Sequence, residues 1–130
     1  MITMTPEGRR LSLAILAVAA LCITHSSAQT QTAITGEIVE TYCWAQLRIS
    51  GPQHAACGLV CVKRGIPVAI VDAQSKQSFV LLPGRDKTAI PPQLIEAMGQ
   101  RVMIRGEVVK RGNNQFLMVQ SWKRAPAQKQ

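Results

Sequence analysis

The stretch RVMIRGEVVKRGNNQFLMVQSW, residues 101–122, contains two runs rich in β-branched and aliphatic residues with a strong turn signal between them. The runs are residues 101–110 and 115–122, and the turn is Arg111-Gly112-Asn113-Asn114. Glycine and asparagine adopt the backbone conformations that tight turns require. This spacing therefore predicts a β-hairpin near the end of the chain.

Three further β-rich runs precede this hairpin. Residues 34–41 are rich in isoleucine, valine and threonine and predict a first strand. Residues 67–72 and 77–82 are short apolar runs separated by the polar residues 73–76, so they predict a second hairpin. The chain therefore contains five predicted strands.

Two helix signals interrupt the series of strands. One helix is predicted to begin at Ser50-Gly51-Pro52, with proline in its first turn, and to end at Gly65. A second, short helix is predicted from Pro91-Pro92 through Met98, closed by Gly99. Strand, helix, strand, strand, helix, strand, strand is the order of elements in an OB-fold whose first connection carries an extra helix. We therefore predict a mainly β protein with two short helices, a five-stranded OB-like barrel with a helix inserted after the first strand.

The N-terminal residues have the pattern of a secretory signal peptide. Arg9 and Arg10 form a basic start, residues 11–23 form an apolar run, and residues 26–28, Ser-Ser-Ala, form a small-residue cleavage site. The apolar run is too short to span a bilayer comfortably. We expect cleavage near Ala28 and a periplasmic or secreted protein with no stable membrane anchor.

Four segments follow from these patterns. Residues 1–28 are the predicted signal peptide, residues 29–33 a flexible leader, residues 34–122 the OB-like domain and residues 123–130 a disordered tail. About a hundred residues remain after cleavage, which is enough for one domain with a single modest core.

The predicted mature chain contains three cysteines and one histidine, all within residues 43–61. In a helix, His54, Cys57 and Cys61 share one face, and Cys43 is close enough in sequence to fold over them. Thiolate and imidazole groups are ligands that suit Zn²⁺ and Cu(I). We predict that Cys43, His54, Cys57 and Cys61 form a Cys3His site for copper or zinc, in a carrier or accessory protein with no organic cofactor.

The alternative is a non-enzymatic binding or structural module stapled by a disulfide bond. Side chains four residues apart on a helix have β-carbons about 5–6 Å apart, whereas a disulfide needs about 3.5–4.5 Å. A bond between Cys57 and Cys61 is therefore disfavoured, and Cys43 would pair with one of them. The state of the three thiols distinguishes the two interpretations.

Catalytic functions have less support in the sequence. Thiol redox chemistry usually uses a C-x-x-C motif, which is absent, and no carboxylate lies between Cys43 and Cys61 to orient His54. A single histidine without a nucleophile elbow also argues against a hydrolase. We expect no enzymatic activity.

The charge of the chain favours anionic partners. Without residues 1–28 the chain has thirteen basic and six acidic residues, a net charge of +7. A basic domain attracts anions, so we expect an acidic periplasmic protein or an anionic surface as a partner besides the metal ion. Export argues against a nucleic-acid partner. The basic residues are scattered, which is also typical of a solvated surface.

Several segments resemble a known group of proteins. From Thr35 to Trp122 the chain resembles small secreted bacterial OB-fold proteins, and residues 106–119 are similar to their closing hairpin. The TYCW segment, residues 41–44, and the pattern HxxCxxxCxxxGxP, residues 54–67, resemble a cysteine-bearing subgroup. The resemblance implies the fold and the compartment. It transfers no catalytic residue, because OB barrels carry many functions.

Overall fold

The computed structural model describes residues 30–126. Its strands and helices follow in the order β1 (Gln31–Glu40), α1 (Ala55–Lys63), β2 (Val68–Asp72), β3 (Ser78–Pro83), α2 (Pro92–Ile95), β4 (Arg101–Arg111) and β5 (Asn114–Arg124). A π-helical turn, Cys43–Leu47, and a 3-10 turn, Pro52–His54, lie between β1 and α1. The predicted signal peptide, residues 1–28, lies outside the described residues.

The five strands form a closed barrel in the order β1-β2-β3-β5-β4. Neighbouring strands are antiparallel except for β3 and β5, which pair in parallel. The helix α1, which carries Cys57 and Cys61, is inserted after β1. This architecture confirms the predicted five-stranded OB-like barrel.

The hairpin of β4 and β5 closes as the sequence predicts. Arg111 pairs with Asn114, which leaves a two-residue loop that starts at Gly112 with a φ of 58°. A positive φ at this position is accessible to glycine without steric cost. The pairing register shifts between Arg105 and Gly106, and a side chain at Gly106 would collide with β5. Glycine therefore permits the bulge that bends this long strand.

Both ends of the domain extend further than predicted. Residues 31–33 fall within the predicted flexible leader, residues 29–33, but they belong to β1 and pair with β4. Residues 123–124 fall within the predicted disordered tail, residues 123–130, but they belong to β5, where Arg124 pairs with Val102. Polar composition suggested loops, whereas backbone pairing with β4 extends the strands at both ends.

The core fills the barrel and continues beneath the inserted helix. Fully buried apolar side chains come from four strands and from α2, and the largest are Ile38, Ile70, Leu94, Val102, Ile104 and Leu117. Three residues of α1, Ala55, Leu59 and Val62, pack against this core. The inserted segment is therefore attached to the barrel through apolar contacts, which gives the cysteine-bearing helix a defined position.

Gly58 sets how closely α1 approaches the barrel. A β-carbon at this position would lie 2.9 Å from Met98 Cγ and 3.5 Å from Glu40 Cγ. These distances leave little room for a side chain, so the helix backbone lies directly over the end of β1. That approach brings the cysteines of α1 next to Glu40 and Cys43.

Candidate metal centre

A buried carboxylate lies at the centre of the cluster. Glu40 is the last residue of β1 and is only 2% exposed. Its Oε2 accepts a hydrogen bond of 2.9 Å from the backbone N–H of Tyr42, and its Oε1 accepts one of 2.9 Å from the backbone N–H of Cys43. The side chain thereby holds the start of the Cys43–Leu47 turn, whose first N–H groups have no partner within a helix.

The ionised form of Glu40 is favoured in the folded protein. Burial opposes ionisation, but hydrogen bonds from the Cys43 thiol and from the backbone N–H groups of Cys43 and Tyr42 outweigh it, so the pKa of this carboxyl lies below its usual range. A negative charge therefore sits inside the cluster at neutral pH.

Cys43 directly follows this carboxylate and is buried, with 4% of its surface exposed. The hydrogen bond to Glu40 and burial raise the pKa of the Cys43 thiol to about 12. The neighbouring Cys61 acts in the same direction. Without a cation in the site, Cys43 is a protonated hydrogen-bond donor to Glu40.

His54 ends the 3-10 turn that leads into α1. Its Nε2 lies 3.6 Å from Glu40 Oε1, longer than a hydrogen bond. Within residues 30–126 this nitrogen is one of two buried side-chain nitrogen or oxygen atoms that have no hydrogen-bond partner. Such an atom in a folded protein calls for an explanation, and an imidazole facing a carboxylate is a common support for a bound metal ion.

The two cysteines of α1 differ in exposure. Cys57 is exposed and Cys61 is half-buried. Residues three and four apart lie on one side of a helix, and this side faces Cys43. Both thiols therefore lie at the cluster, but solvent reaches Cys57 more easily than Cys61.

The ligand atoms form two triads that share one sulfur. Cys43, His54 and Cys57 place one ligand atom each within 4.8 Å of one another, and so do Glu40, Cys43 and Cys61. A tetrahedral zinc ion with bonds of about 2.3 Å holds its sulfur ligands about 3.8 Å apart. Both groups could hold a metal ion.

The predicted residues are thus brought together, but not as one equivalent set. Cys43, His54 and Cys57 meet as the sequence suggested, while Cys61 joins Cys43 and Glu40. Helical spacing placed His54, Cys57 and Cys61 on one face. The segment is a 3-10 turn up to His54 and becomes α-helical only at Ala55, so the three residues do not share one uniform α-helix.

One further expectation needs correction. No carboxylate lies between Cys43 and Cys61, but Glu40 of β1 supplies one, with its Oε1 3.6 Å from His54 Nε2. Among residues 30–126 no disulfide bond is present, and Cys43, Cys57 and Cys61 are free thiols.

Sequence reasoning missed Glu40, although a signal was present. Ile34, Gly36, Ile38 and Glu40 alternate along β1, and all four are buried. Side chains two apart on a strand point to the same face, so this face is the core face. A carboxylate in such a series is unusual and marks a position with a polar role.

Comparisons of the chain with protein-family models, with curated proteins and with solved structures give no match. Among residues 30–126, no helix combines the length and the apolar character needed to cross a membrane.

Proposed function

We propose that the protein is exported to the periplasm and binds a soft transition-metal ion, copper(I) or zinc(II), between Cys43, His54 and Cys57. The observation that carries this proposal is the convergence of two sulfurs and an imidazole nitrogen within 4.8 Å. Three such ligands satisfy Cu(I), and zinc can take a fourth from Cys61 or from water. The protein acts as a carrier or accessory protein, without enzymatic activity.

The surroundings of His54 support this assignment. If Nδ1 binds the ion, Nε2–H points at Glu40 Oε1, 3.6 Å away. A carboxylate behind a metal-binding histidine fixes the ring orientation and makes the ligand more basic. Metal binding would draw this contact into a hydrogen bond and would give Nε2 the partner it lacks.

Exposure of the ligands supports a carrier role. Cys43 is buried and held by Glu40, whereas Cys57 is exposed on α1. A ligand that solvent can reach allows an incoming thiolate or thioether to bind the ion before the buried ligand releases it. The ion can therefore be exchanged with a partner without being released into water.

The surface near the cluster favours an acidic protein as that partner. Residues 41–66 include Arg48, Lys63 and Arg64 but no aspartate or glutamate. Within residues 30–126, the exposed large hydrophobic side chains all lie in this same segment, at Tyr42, Leu47, Ile49 and Val60. Apolar contacts with a basic rim match an acidic partner surface.

A competition titration tests the metal site. The reduced protein competes with a coloured copper(I) or zinc(II) chelator, and the variants His54→Ala and Cys57→Ser are compared with Gln53→Ala. Mutation of a residue that only hydrogen-bonds to a metal ligand weakens metal affinity by about 10–100-fold. Loss of a ligand itself should weaken affinity by at least as much. The exposed Gln53 provides a matched control in the same turn. Equal affinity in all four proteins would refute the proposed site.

The disulfide-stapled module remains the alternative function, and the same protein distinguishes it. A disulfide lowers the intact mass by two hydrogens and leaves one alkylatable thiol among the three cysteines. A metal site leaves all three thiols reduced and protects them from alkylation until a chelator removes the ion.

A further inference from the structure

We propose that the cluster binds two zinc ions, bridged by the thiolate of Cys43. This inference rests on the proposed metal-binding function and adds a second position to it. The first ion lies between Cys43, His54 and Cys57, and the second lies between Glu40, Cys43 and Cys61.

The arrangement of ligands points to two positions. The triads have only Cys43 in common, so each has two ligands of its own. A thiolate sulfur has three lone pairs and can bind two cations at once. With Zn–S bonds of about 2.3 Å, two ions on one sulfur lie at most about 4.6 Å apart. Each ion then has three protein ligands.

The charge of Glu40 supports a cation in the second position. Within residues 30–126, no lysine or arginine forms an ion pair with this buried carboxylate, and His54 is its only basic neighbour within 4 Å. Buried charges are usually paired or bind metal ions. An ion in the first position alone is neutralised by the thiolates of Cys43 and Cys57, which leaves Glu40 without a counter-charge.

The charges of the ligands also match two zinc ions. Three thiolates and one carboxylate carry four negative charges, and two divalent zinc ions neutralise them. Glu40 retains the capacity for this role, because its Oε2 has a second acceptor site besides its hydrogen bond from Tyr42. A carboxylate is a usual ligand of zinc but a poor one for soft Cu(I), so the second position selects zinc.

Metal stoichiometry tests the second position. Protein purified from the periplasm is reduced, loaded anaerobically with excess zinc(II), freed of unbound metal by gel filtration and analysed for zinc per chain. We expect two zinc ions in the wild type and one in Cys61→Ser and Glu40→Gln. Glu96→Gln is the matched control, because Glu96 is exposed and lies outside the cluster, and it should keep two.

The outcomes separate this inference from the function on which it rests. One zinc ion in the wild type, unchanged in Cys61→Ser, would overturn the second position and leave the first intact. No bound zinc in the wild type would contradict both. Cadmium-113 NMR of the cadmium-loaded wild type gives an independent readout that needs no variant to fold. Two resonances are expected, and a single resonance at saturation would refute the bridged pair.

Discussion

Replacing Glu40 with alanine should destabilise the metal-free protein by about 2–4 kcal/mol. Hydrogen bonds to charged groups contribute about 1.5–3 kcal/mol each, and this carboxylate accepts two of them from backbone N–H groups at 2.9 Å. Without the carboxylate, the N–H of Cys43 is left buried and without a partner, at a cost of about 1–3 kcal/mol. These costs overlap, because the same donor is counted in both.

Glu40→Ala also removes a buried negative charge, but this gain should not offset the loss of stability. The pKa of Glu40 lies below its usual range despite burial, so its hydrogen bonds stabilise the ionised form better than water does. The same fact fixes the pH dependence. A carboxyl whose folded pKa is depressed contributes stability above its unfolded pKa and loses it as pH falls through the folded pKa. The difference between wild type and Glu40→Ala should therefore shrink in acid.

Urea unfolding at neutral pH, with reductant and chelator present, measures this effect. Glu96→Ala removes an exposed glutamate and should change the free energy of unfolding by no more than about 0.5 kcal/mol. A Glu40→Ala protein within that same range of the wild type would show that the carboxylate does not hold the turn. The account of how Cys43 is positioned would then be wrong.

Three further predictions concern the thiol, the helix and the export signal. The stability of the metal-free, reduced protein should decline as pH rises from about 9 towards 12, because the pKa of the folded Cys43 thiol is raised to about 12 and the unfolded thiol ionises first. Urea unfolding should show a weaker decline for Cys43→Ser. An equal decline of stability with pH in the two proteins would contradict this. Gly58→Val should lower stability by about 1–3 kcal/mol through its collision with Met98, while Ala56→Val, on the exposed side of the same helix, should change it far less in the same assay. Intact mass of the exported protein should correspond to a chain that begins near Gln29 and carries no lipid, and an uncleaved or lipid-modified chain would refute this.

The barrel was predictable because each strand has its own local signal. The runs of β-branched residues, the turn at Gly112 and the prolines at or shortly before the start of each helix all specify structure within a few residues. The ends of β1 and β5 were not predictable in this way. Residues 31–33 and 123–124 are strands because β4 is long enough to pair with them, which composition does not reveal.

The candidate site was predictable in its residue types but not in its connections. The spacing of His54, Cys57 and Cys61 assumed a uniform helix, whereas the chain enters α1 through a 3-10 turn. The contact between Glu40 and His54 joins a strand to the inserted segment. It depends on how closely α1 packs against the barrel. This packing distance is short because Gly58 has no side chain. It is a tertiary effect that local sequence patterns do not reveal.

Metal analysis of the protein as isolated tests the central claim most directly. The protein is purified from the periplasm without chelator, and its metal content is measured beside intact mass and thiol alkylation, for the wild type and His54→Ala. We predict at least one equivalent of copper or zinc in the wild type, a clear reduction in His54→Ala, and three reduced thiols after the metal is removed. A wild type with no metal, a mass two units below the reduced value and one alkylatable thiol would contradict the metal centre and establish the disulfide instead.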